Sequence, residues 1–245
     1  MARELDSARR DLIVAAGAVA LGIAATPLVA AEPKGRDDSD EGEHDAKEVL
    51  AVEDLMREHG VLRRALLVYS EASTRILSGN KDVPLDALAR TAVLFRTFGE
   101  DYHERALEEQ HVFVPLIKAG GTNGALAKTL TSQHQRGREI TDYVTAVTKK
   151  GGSAADAAFA HTLASFVRMY EHHAAIEDTI IFPAWKRAIS AEQYDELSDQ
   201  FEDLEHKMFG KDGFEDALTR IASIEQAFGL SDLAAMTPPA PPRIA

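Results

Sequence analysis

Through the middle of the chain, apolar residues recur every three or four positions, and no run of β-branched residues alternates with polar ones. That period predicts amphipathic helices, with breakers setting their ends. Helix A is expected over about 47–77, ending near Gly79-Asn80. Helix B starts at Pro84, a favoured first-turn residue, and stops before Gly120-Gly121. Helix C runs over about 125–149, before Gly151-Gly152, and helix D over about 154–189. Ser190, with Gln193 three residues on, reads as the capping-box start of helix E, which stops near Gly210; helix F covers about 214–228. Four long helices joined by short Gly-containing loops predict an all-α fold. The expectation is an up-down-up-down four-helix bundle over 47–189 with a helical C-terminal extension over 190–230, packed on the outside or end, then a Pro-rich tail over 231–245.

The stripes are informative where polar residues interrupt them. Helix A reads Val52, Leu55, His59, Leu62, Leu66, Tyr69, so His59 faces the core. Helix D reads Phe159, Leu163, Phe166, Tyr170, His173, Glu177, Ile180, Ala184, which turns His173 and Glu177 inward together. His172 lies roughly 100° around the helix from its neighbour. In helix C, Leu130, His134, Gly137 and Val144 carry His134 inward.

Helix B is irregular. Phe95 and Gly99 lead in phase to His103, while Val112 and Leu116 lead back to Glu108. Five residues separate the pair, leaving them roughly 140° out of register on an α-helix. A one-residue π-bulge within 103–108 would restore a shared face, and such bulges occur often at functional sites. Without it, Glu109 or Glu104 takes the place of Glu108.

Four imidazoles and two carboxylates thus point into one core. Burying them unpaired would cost several kcal/mol each, and metal ions remove that cost. The chain has no cysteine, so any metal must sit on His and carboxylate, as suits iron, manganese or zinc. A formal net charge of −13 disfavours nucleic acid as a partner. His44, His161 and His206 read as surface residues; for His111 an outer partner or surplus ligand is the lesser alternative to a residue outside the site. Glu104 and Glu109 are candidates to orient ligands, because a metal-bound His usually donates its other N–H. A ferritin-like di-iron site needs Glu-x-x-His on two helices; Glu100 and His103 meet this, but position 170 is Tyr and no Glu lies one turn from His134.

These residues resemble the hemerythrin-like cation-binding proteins with the His-His-Glu motif, over roughly 49–189. The segment His-His-Ala-Ala-Ile-Glu-Asp-Thr-Ile-Ile-Phe-Pro (172–183) is the most specific stretch, and Tyr-His-Glu-Arg-Ala-Leu-Glu-Glu-Gln-His-Val-Phe (102–113) looks like its partner. His59 and His134 match the family's single histidines on the first and third helices. The resemblance implies two non-heme irons: His59 and His103 on one, His134 and His173 on the other, with Glu108 and Glu177 spanning both. It implies binding of O2, NO or peroxide at an open coordination position, since the second helix-C histidine of the oxygen-carrying hemerythrins is missing. A di-iron oxidoreductase, iron handling and a zinc- or manganese-holding structural module remain alternatives.

At the N-terminus, Arg9-Arg10 precede 20 uncharged residues, Leu12 to Ala31, ending Val29-Ala30-Ala31. This resembles a bacterial twin-arginine export signal over 1–31, followed by an acidic linker over 32–46. Asp11, Glu4 and Asp6 depart from that pattern. Export to the periplasm by the twin-arginine machinery is the expectation; the alternative is an uncleaved membrane anchor.

Overall fold

The computed structural model describes residues 49–80, 82–151 and 155–244, and all their regular structure is helical. The expected signal at 1–31 and the acidic linker over 32–46 lie outside these residues. Helix α1 is Ala51–Leu77. Helix α2 spans residues 85–119 in three parts: α-helical Leu85–Leu94, π-helical Phe95–Val112 and α-helical Phe113–Ala119. Helix α3 is Gly121–Lys150. Helix α4 spans 157–188, with a π-helical stretch, Glu177–Ile181, between Ala157–Ile176 and Phe182–Ala188. Helices α5, Ala191–Phe209, and α6, Gly213–Phe228, follow. None of the described helices is long and apolar enough to cross a membrane.

Local chemistry sets the boundaries. Helix α1 ends where Gly79 takes φ 75°, and Asn80 N–H bonds back to Arg75 O at 2.9 Å, satisfying an end carbonyl. Helix α4 begins at Ala157 rather than near 154, because the Asp156 carboxylate accepts the Phe159 N–H at 3.0 Å and fixes the start. Helix α3 starts at Gly121, earlier than the periodicity suggests, since its first turn carries no apolar stripe.

Ser190 forms the expected capping box. Its hydroxyl accepts the Gln193 N–H at 3.1 Å, and its own N–H donates to Gln193 Oε1 at 3.0 Å. Ser190→Ala is expected to lower stability by about 1 kcal/mol, read as a lower urea midpoint at unchanged slope; an unchanged midpoint contradicts the cap.

Helix α1 packs most closely on α4, while α2 lies on α3 and α3 on α4. Helix α6 covers α1 and the start of α2, and α5 covers α1 and the π-helical part of α2. The two last helices also supply hydrogen bonds that the others lack. Leu50 gives α1 no side-chain cap; instead Ser198 Oγ and Tyr194 Oη on α5 accept the N–H groups of Ala51 and Val52 at 3.0 and 3.1 Å. On α6, Glu225 accepts two bonds from Arg64, and Arg75 donates to the last carbonyl, Phe228 O, at 2.6 Å. Trp185 on α4 is fully buried and stacks on Phe201 of α5.

The α4 stripe differs from expectation at one place. Ile180 is exposed and Ile181 is buried in its place, because the π segment advances the register by one residue. On α5, Met208 is exposed, while Ser198 and Glu205 turn inward to bond α1 and the Phe214 N–H.

Candidate metal centre

Six side chains converge inside the helices. Helix α1 brings His59, the π-helical part of α2 brings His103 and Glu108, α3 brings His134, and α4 brings His173 and Glu177. None is more than 2% exposed. The five-residue gap on α2 is taken up by i→i+5 bonding, seen where Phe113 N–H reaches Glu108 O. It extends well beyond the single bulge expected within 103–108. Glu177 opens the second π segment, where Phe182 N–H likewise reaches Glu177 O. Both inward glutamates therefore sit on widened helix, as does the start of the turn holding Pro183, whose missing N–H is best tolerated there.

The centre has two halves. His59 Nε2 lies 3.4 Å from Glu177 Oε2, and His103 Nε2 lies 3.4 Å from Glu108 Oε1. Opposite them, His134 Nε2 is 3.3 Å from Glu108 Oε2, and His173 Nε2 is 3.0 Å from Glu177 Oε1. Each glutamate presents one oxygen to each histidine pair.

The outward ring nitrogens are all engaged. His59 Nδ1 donates to Asp178 at 2.7 Å, His103 Nδ1 to Glu58 at 2.5 Å, His134 Nδ1 to Glu109 at 2.9 Å and His173 Nδ1 to Gln133 Oε1 at 2.9 Å. These oxygens only accept, so the hydrogen resides on Nδ1 and the Nε2 lone pair of each neutral ring points inward.

The protein leaves much of what faces inward unsatisfied. His103 Nε2 and both oxygens of Glu108 and Glu177 are buried without a hydrogen-bond partner among the described residues. His134 Nε2 and His173 Nε2 face each other at 3.1 Å, two acceptors with no hydrogen between them in the neutral form. Ligands about 2.0–2.2 Å from one ion stand roughly 3.0–3.6 Å apart. The four His–Glu separations of 3.0–3.4 Å fit that geometry, and His134 to Glu177 is longer, at 3.9 Å. The site fits metal ions.

The imidazoles and carboxylates of the centre shift one another's pKa. Burial and the neighbouring Glu177 push the Glu108 carboxyl up, but His103 and His134 outweigh them and hold it below the usual range. Burial likewise acts on Glu177 and is overcome by His173 and His59, leaving its carboxyl far below the usual range. Burial opposes charge on His103, yet Glu108 and Glu58 raise its pKa well above that of free imidazole. Aromatic rings wall the centre: Phe182 stacks on His59, Phe113 on His134, and Tyr170 packs beside His173. Gly137 admits Tyr170, since a Cβ there would sit 3.2 Å from its hydroxyl.

The alternatives for the α2 carboxylate lie elsewhere. Glu104 and Glu109 cluster near His134, but the Arg138 guanidinium already bridges them, at 3.1 and 2.8 Å. Burial pushes the Glu104 carboxyl up to about 8. His172, His161 and His206 are exposed, and His111 packs edge-on against Phe201 outside the centre. His44 lies outside the described residues.

An all-helical chain with paired histidines and shared carboxylates in its core has the character of a cation-binding protein. The family model "Hemerythrin HHE cation binding domain" matches residues 50–185, and again 125–224. The chain belongs to this hemerythrin HHE cation-binding family. It is 42% identical over 193 residues to an uncharacterized protein of Mycobacterium tuberculosis (strain H37Rv), covering 78% of this chain and 74% of the relative. An uncharacterized protein of Mycobacterium bovis matches to the same extent. No solved structure matches significantly.

Proposed function

We propose that this chain is a non-heme di-iron protein that binds O2, NO or a related small ligand. His59 and His103 hold one ion, His134 and His173 the other, and Glu108 and Glu177 bridge them. The observation that carries this reading is the split of each glutamate, one oxygen to each histidine pair, with every Nδ1 tied outward. When bound, a ferrous pair supplies two electrons to a small ligand. The chain's own part is to orient the rings, supply negative charge and exclude water with Phe113, Phe182 and Tyr170. The same reading takes α1 to α4 as an up-down-up-down bundle.

The test is metal analysis of the purified protein with a visible spectrum before and after air. About two irons per chain, with ferric absorption that reverses on deoxygenation, are expected. Turnover of peroxide or NO would instead identify a di-iron oxidoreductase, and colourless zinc a metal-stabilised structural module.

Loading should release protons. Burial opposes charge on His134, but Glu104, Glu108 and Glu109 raise its pKa to about 10 in the metal-free protein. A raised pKa means the proton is held at pH 7 and must leave before the ring can ligate. Affinity is therefore expected to rise with pH between 7 and about 10 and to fall on acidification. Calorimetry in buffers of different ionisation enthalpy would measure the release; binding without release contradicts this.

The proposal includes export through the twin-arginine machinery, from Arg9-Arg10 and the uncharged stretch behind them. Arg9→Lys with Arg10→Lys should then leave the protein in the cytoplasmic fraction, and unchanged fractionation would reject it.

A further inference from the structure

The two halves of the centre are matched in their inward donors but not in what stands behind them. In the His59/His103 half, both imidazoles donate to carboxylates. Glu58, behind His103, is fully buried; among the described residues its second oxygen has no partner and no Lys or Arg pairs with it. Asp178, behind His59, is shared with Arg63, whose side chain is 43% exposed and so partly solvated. In the other half, His173 donates to the neutral amide of Gln133. Glu109, behind His134, has its bonding oxygen shared with Arg138, which also bonds the buried Glu104.

A carboxylate accepting from Nδ1 makes an imidazole a stronger donor and adds negative charge near the ion, whereas an amide does little of either. A guanidinium on that carboxylate withdraws part of the effect. The halves differ in one direction: His103 against His173 by a carboxylate against an amide, and His59 against His134 by an exposed against a buried guanidinium on the accepting carboxylate. We infer that the two metal positions are unequal: the His59/His103 position is the tight one, the His134/His173 position the labile one, and Gln133 is the residue that keeps it labile. The second metal is thus exchangeable while the first stays. This rests on the two-metal reading of the centre.

Outer partners of this kind change metal affinity by about ten- to a hundred-fold, so two resolvable binding steps are expected. The test is anaerobic calorimetric titration of the intact apoprotein with Co2+ alone. The parent protein should take up two ions, the second at least about ten-fold more weakly. Gln133→Glu, nearly isosteric and at a half-buried position, should tighten the weak step about ten-fold and leave the tight step alone. Glu58→Gln should weaken the tight step. His173→Ala should retain only the tight step, and His59→Ala only the weak one. Two equal steps, or a Gln133→Glu that leaves the weak step unchanged or strengthens the tight one, overturns the inference while the two-metal reading stands. Uptake of fewer than two ions by the parent protein sinks both.

Discussion

His173→Ala is expected to purify with about half the parent's metal or less, whereas His172→Ala keeps the full complement. The two residues are neighbours, but the helix turns them roughly 100° apart. His173 is buried with its Nε2 3.0 Å from Glu177, and His172 is exposed. Removing the His173 ring leaves His134 as the sole imidazole in its half, with one oxygen of each glutamate. It also releases Gln133 from its hydrogen bond and opens a gap beside Tyr170. Metal content by elemental analysis, compared at equal folded protein by circular dichroism, separates lost ligation from lost fold. Equal losses in the two variants would overturn the inward register of α4.

Stripping the metals from the intact protein is expected to lower its melting temperature by roughly 8–16 °C. Metal present at about a thousand times its dissociation constant contributes about 4 kcal/mol by mass action. For a domain of this size each kcal/mol corresponds to about 2–4 °C. The physical origin is the set of inward atoms without partners: His103 Nε2 and the four oxygens of Glu108 and Glu177. Protons on the imidazoles balance some of the charge in the stripped protein, so it should remain folded at room temperature. Calorimetric scans with and without a chelator would measure the shift. Coincident transitions would mean that the buried cluster is satisfied without metal.

The helices and the inward residues were legible because a polar residue on an apolar stripe stands out. His59 between Leu55 and Leu62, and His134 between Leu130 and Gly137, needed only a count of threes and fours. The five-residue gap from His103 to Glu108 marked a π turn for the same reason, since both flanking stripes were clear. Its length was not legible: the flanking stripes show that a residue has been added between them, not how far along the helix the i→i+5 bonding spreads. The π segment at Glu177 left no trace, because Ile180 and Ile181 are both apolar and either could fill the stripe.

The outer partners were mostly missed. Glu109 was a candidate, but Glu58, Gln133 and Asp178 were not, and Glu104 turns to Arg138 instead. A pattern was present all the same. Glu58 precedes His59 yet accepts from His103; Glu109 follows Glu108 yet accepts from His134; Gln133 precedes His134 yet accepts from His173; Asp178 follows Glu177 yet accepts from His59. A residue next to an inward His or Glu lies at the seam between helices, where it meets the inward His of a neighbouring helix rather than its own. Knowing which helices adjoin requires the tertiary structure, so the acceptors could be suspected from sequence but not paired.

The most direct measurement is anomalous diffraction from crystals of the iron-loaded protein at the iron edge. Two peaks are expected about 3.5–4 Å apart, one between His59 and His103 and one between His134 and His173, each touching one oxygen of Glu108 and one of Glu177. A single peak, or metal lying away from these six side chains, would contradict the two-metal centre.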